Sequence, residues 1–109
     1  MKRIYISIPI TGHNLQEQAK KAGRIAKGIE TLGHEAVSPF DTPAAPSHYN
    51  EQEQYAFYLG RDIEKLLLCD GVYFAHGWED SKGCRIEGAV AQAAGIPVYF
   101  QLDKIPEAE

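Results

Sequence analysis

Four short runs rich in β-branched and aromatic residues punctuate this chain, and three longer amphipathic stretches separate them. The runs are RIYISI (3–8), HEAVSP (34–39), CDGVYFA (69–75) and IPVYFQ (96–101). Between them, residues 15–32, 51–68 and 84–94 repeat apolar side chains at helical spacing. A strand reaches a parallel neighbour only through a crossover, and helices of this length supply one. The alternation therefore predicts a three-layer α/β fold around a parallel sheet of four to five strands. Right-handed crossovers give the order 2-1-3-4.

Local signals sharpen the elements. Leu15, Ala19, Ala22, Ile25, Ala26, Ile29 and Leu32 form the expected inner stripe of the first helix, with His13 or Asn14 as its cap and Gly33 just past its end. Tyr55, Leu59, Ile63, Leu66 and Leu67 are expected to face inward from the second. The third is expected to run from about Cys84 to Ala94 and stop at Gly95. Residues 39–50, PFDTPAAPSHYN, carry three prolines and no periodicity, so they read as a long loop. LDKIPEAE, at the end, reads as a polar tail. The whole of 1–109 is expected to be one domain.

In such sheets ligands bind beyond the carboxyl ends of the strands, where strand order reverses. That point lies between strands 1 and 3. The turn PITGHN and the loop HGWEDSKG are expected to meet there.

Charge narrows the partners. The formal net charge is −4, so no broad positive field favours a nucleic acid polymer or a membrane surface. No apolar run approaches the roughly 18 residues of a membrane helix. MKRIYISIPI runs into Pro and Gly without a small-residue cleavage site, which reads as a strand and points to the cytoplasm. Cys69 and Cys84 lack metal-ligand spacing and read as small buried thiols; the four histidines show no such spacing either. No metal and no organic cofactor is expected.

Glu87 is the residue out of place. It falls on the stripe of the third helix that holds the small residues Cys84, Ala91 and Ala94. Near a helix N-terminus at the cleft, a carboxylate there is a candidate nucleophile or base. The plainer reading is a stripe-edge Glu paired with a Lys or Arg. Asp62 lies beside the inner stripe of the second helix and is either a second cleft carboxylate or an i,i+3 surface partner of Lys65. Asp70, just before the third strand, suits a turn or cap. SKGC offers Ser81, the Gly83 backbone and the Lys82 charge as a phosphate cradle, or Ser81 as a simple cap. Trp78 either stacks on a base or covers the core.

With these residues in hand, the chain resembles the nucleoside 2-deoxyribosyltransferase superfamily, which includes the 2'-deoxynucleoside 5'-monophosphate N-glycosidases. Within it the compact DUF4406 branch is nearest. YISIPITG, RDIEKLLLCDGVYF and GWEDSKGCRIEGAVAQAAGIPVY carry the resemblance. Its most specific part is W-x-x-S-x-G-x-x-x-E-x-x-x-A followed by G-I-P-V. The resemblance implies a flavodoxin-like fold. It implies that Glu87, four residues after Gly83, attacks the anomeric carbon of a 2-deoxyribosyl group and forms a covalent glycosyl intermediate. It also implies that Asp62 assists base departure and that Tyr5 orients the nucleophile. Ser81, Gly83, Gly12, Thr11, Trp78 and Pro9 are the expected substrate contacts. Ser81, two residues before Gly83, is the type found in the nucleotide hydrolases rather than the transferases. Thr11 stands where those hydrolases carry a basic residue, and Ile8-Pro9 replaces a small-residue turn. FQLDKIPEAE offers no Asn or Ser of the kind a neighbouring subunit usually contributes. The expected partners are a small-molecule nucleotide or nucleoside and further copies of the chain, as a homodimer or higher homo-oligomer. The alternative is a non-catalytic module of the same fold that binds or senses a nucleotide.

Overall fold

A computed structural model describes residues 1–109. Its strands are β1 (Arg3–Ser7), β2 (Glu35–Val37), β3 (Gly71–Phe74) and β4 (Val98–Tyr99), and its helices are α1 (Leu15–Thr31), α2 (Glu51–Leu67) and α3 (Lys82–Ala94). All neighbouring strands are parallel, in the order β2-β1-β3-β4. The topology read from the alternation is the one observed.

Alternation along β1 sorts the layers. Ile4, Ile6 and Ile8 pack with Ala22 and Ile29 of α1. Tyr5 points the other way and packs with Val72, Phe74, Leu66 of α2 and Ala91 of α3. Successive strand side chains face opposite sides, so Ser7 shares the α2/α3 face with Tyr5.

Each helix begins on a side-chain cap. Asn14 accepts from the Glu17 N–H, Asn50 and Glu53 form a reciprocal capping box, and Ser81 accepts from the Cys84 N–H. Gly95 ends α3 at φ +71°, a conformation costly to residues with a Cβ.

Several expectations are corrected. Leu15 and Ala19 are exposed, while Gln18 is buried and donates to the Pro9 carbonyl. The first turns of α1 lie at the end of the sheet, where Leu15 borders the cleft instead of the core. Only Leu66 of the Leu66–Leu67 pair turns inward; Leu67 is half exposed. β4 pairs over two residues, less than half of IPVYFQ, because the chain then turns into a 3₁₀ segment at Leu102–Lys104. The polar tail is not loose. Ile105 is buried in the α1-side core, and the Ala108 N–H donates to the Leu32 carbonyl at 2.8 Å. No helix is long and apolar enough to cross a membrane.

Candidate active site

Glu87 is 5% exposed, and both its oxygens are engaged. The Tyr5 hydroxyl donates to Oε2 at 2.6 Å and the Ser7 hydroxyl donates to Oε1 at 2.7 Å. These two β1 residues explain a carboxylate on a packing face. Cys84 and Ala91, the buried neighbours on the stripe, are small enough to bring α3 against β1, and two hydroxyls await the acid there. No Lys or Arg pairs with it; both ion pairs in the chain, Arg3–Glu35 and Arg61–Glu64, lie at the surface.

Burial raises the Glu87 pKa above its ordinary value, and the Tyr5 and Ser7 hydrogen bonds pull it back. The Tyr5 hydroxyl is pushed well above 10, first by burial and then by the Glu87 charge, so it stays a donor. Burial and the charge of Glu87 lift Asp62 to about 7, against a smaller lowering by Lys65. Lys65 does not form the surface pair with Asp62. Its ammonium donates instead to the Ser38 carbonyl at 2.9 Å. Two carboxyls thus sit within electrostatic reach, and burial pushes both towards holding a proton, Asp62 to about 7. Asp70 takes the structural role expected just before the third strand and accepts from the Arg3 N–H.

A cleft of about 690 Å³ opens at the carboxyl ends of the strands. The structure brings Glu87, Asp62, Thr11, Ser81 and Gly83 to its wall. Tyr5 lies beneath, reaching the cleft only through Glu87. Gly12, Pro9 and Trp78 are not on the wall. Gly12 makes the turn after β1 at φ +82°, and Pro9 is buried with its carbonyl on Gln18. Trp78 packs 5.2 Å from the Phe74 ring and 5.4 Å from the Phe100 ring, so it covers the core.

Sequence reasoning missed Ser7, although its signal was present: it lies two residues after Tyr5, hence on the same strand face. It also read Tyr55 and Leu59 as core, whereas both are half buried and line the cleft. No group of three His, Cys, Asp or Glu side chains converges as a metal site, and both cysteines are free and buried.

The model of a domain of unknown function, DUF4406, matches residues 2–100. The chain belongs to this family. No curated protein matches it. Among solved structures, this DUF4406 chain is similar to a 2-deoxyribosyltransferase from Bacillus psychrosaccharolyticus, at 22% identity and TM-score 0.65 over 88% of this chain and 69% of that one. A conserved protein of Enterococcus faecalis V583 is similar at 25% identity and TM-score 0.68, over 90% and 61%. The CMP N-glycosidase of Clostridium botulinum is similar at 21% identity and TM-score 0.52, over 89% and 66%. The DUF4406 chain spans about two thirds of each of these chains. These likenesses show a shared fold.

Proposed function

We propose that the cleft cleaves or transfers the N-glycosidic bond of 2'-deoxynucleosides or their 5'-monophosphates, with Glu87 as nucleophile. The observation that carries this reading is the pairing of a buried carboxylate, held by two hydroxyls at the wall of the cleft, with a second carboxyl that keeps its proton near neutrality. The shared fold with a deoxyribosyltransferase and a CMP N-glycosidase supports it as analogy.

The chemistry balances on these two groups. A Glu87 oxygen forms a bond to C1' of the sugar as the bond from C1' to the base nitrogen breaks. The departing base takes its electron pair and a proton from Asp62. Water, or a second base, then attacks C1', returns a proton to Asp62 and releases the Glu87 carboxylate. Tyr5 and Ser7 position the nucleophile and hold it ionised. Ser81, Gly83 and Thr11 contact the sugar or its 5' end.

A non-catalytic binding module is the second reading. One observation favours it: both Glu87 oxygens are already bonded within the chain, as those of a structural carboxylate would be. Incubation with the four 2'-deoxynucleosides and their 5'-monophosphates, with free base measured by chromatography, separates the two. The enzyme reading expects release that Glu87→Ala abolishes. Binding with no release, unchanged by Glu87→Gln, would establish the module.

A further inference from the structure

Three buried side-chain oxygens in the chain have no hydrogen-bond partner: Thr42 Oγ1, Tyr55 Oη and Asp62 Oδ1. All three belong to residues on the wall of the same cleft. Burying a polar atom unpaired is costly, and native chains leave few. Three along the wall of one cleft point to a ligand with matching polar atoms. Asp62 is used by the reaction proposed above, but Thr42 and Tyr55 are not.

Their placement tells which part of a ligand they meet. Tyr55 and Asp62 are seven residues apart on α2, so they share a face and lie about 10 Å apart along the axis. Asp62, coupled to Glu87, marks the reacting end. Tyr55 lies two turns further out, and Thr42 approaches from the segment that follows β2. The two hydroxyls therefore belong to a recognition zone rather than to the bond being broken.

The charge of the wall decides what is recognised. Glu51, Asp62 and Glu87 line the cleft, and no Lys, Arg or His does. The Lys82 ammonium lies 5.8 Å from the centroid of the Tyr55 ring, outside the lining residues. A phosphate placed beside Glu51, one turn from Tyr55 on α2, would be repelled there, which leaves the 5' end to the Ser81 and Gly83 side of the cleft. A hydroxyl both donates and accepts, which suits the mixed edge of an uncharged heterocycle. We propose that the Thr42 and Tyr55 hydroxyls bind the polar edge of the nucleobase of a bound nucleoside and so select the ligand. This rests on the glycosidic reading for the identity of the ligand.

The test compares Tyr55→Phe and Thr42→Val with the unaltered chain. Each removes one hydroxyl and little volume. Affinities are measured calorimetrically for the four 2'-deoxynucleosides and for 2-deoxyribose 5-phosphate, which has no base. The expected result is a loss of about three- to tenfold for at least one nucleoside and none for the sugar phosphate. The free variants are expected to melt no lower than the unaltered chain, since neither loses an internal bond. Equal losses for both ligand types, or no loss for any nucleoside, would overturn the proposal. So would a melting point lowered by more than about 5 °C in free Tyr55→Phe, which would reveal an internal partner. Nucleoside binding that depends on Tyr55 without any release of base would keep this proposal and sink the glycosidic one. Base release indifferent to both variants would do the reverse.

Discussion

A single acid, Glu87, is pushed up in pKa by burial and pulled back by two hydroxyls, and each hydroxyl can be removed alone. Tyr5→Phe takes away one of the two bonds that lower the Glu87 pKa, so the carboxyl should hold its proton to higher pH. A group whose pKa is raised on folding contributes stability below its unfolded value and loses it as pH rises through the folded one. The Tyr5→Phe deficit should therefore grow from acid to neutral pH and reach about 1–3 kcal/mol. Urea unfolding at pH 4.5 and pH 8 measures this; a deficit independent of pH would mean the hydroxyl does not act on the charge of Glu87. The same sign applies to Asp62, whose pKa rises from 3.8 unfolded to about 7 in the fold. Stability should fall as pH rises from about 4 through about 7, and Asp62→Asn should flatten that slope in melts taken from pH 4 to 9. Base release should decline across the upper part of that window, as Asp62 loses its proton. The Glu87 position was legible because a charge on an apolar stripe is conspicuous; Asp62, beside its stripe, stayed open between the cleft and a surface pair with Lys65. Ser7 was not legible: inside a run of β-branched and aromatic residues, one small hydroxyl looks like filler until its partner is known.

Among the elements, α3 joins packing to chemistry over one short span. Its cap, its small-residue stripe and its acid occupy positions 81, 84, 87 and 91, so one helix face carries all of them. Spacing alone exposed this, because a helix fixes which residues share a face. α1 was harder. Periodicity locates a stripe but not the length of sheet beneath it, so Leu15 and Ala19 joined the stripe in sequence and left the core in space. Trp78 was left open between stacking on a base and covering the core: its loop lies at the cleft, yet Phe74 and Phe100 offer its ring an apolar seat on another side. The cap of α3 gives a clean prediction. Ser81→Ala loses the acceptor for the Cys84 N–H and should cost about 0.5–2 kcal/mol, whereas Ser81→Gly should cost only a few tenths. Thermal melts of the two variants check the order. If Ala and Gly melt alike, the hydroxyl is not acting as the cap.

Across the molecule, the C-terminal segment closes a layer that a flavodoxin-like sheet of this length would otherwise leave open. After β4 it crosses to the α1 side, where Leu102 approaches Gly28 so closely that a Cβ there would lie 2.7 Å from the Leu102 Cδ1. His34 ties both ends of the chain together. Its Nδ1 accepts from the Lys2 N–H, so its Nε2 carries the proton and donates to the Pro106 carbonyl. None of this was legible, because two apolar residues, Leu102 and Ile105, among charged neighbours make no periodic window. Ile105 is 3% exposed against Ile4 and Ile6, on the opposite face of the sheet from Tyr5 and Glu87. That separation makes stability and site independently testable. Ile105→Ala should lower stability by about 2–4 kcal/mol through the cavity it leaves. Nucleoside affinity, measured at a temperature where the variant is still folded, should stay within about twofold, because sites that share no partners act independently. A loss of affinity well beyond that would mean the strap shapes the cleft through β1, and the two faces of the sheet would have to be treated as one coupled unit.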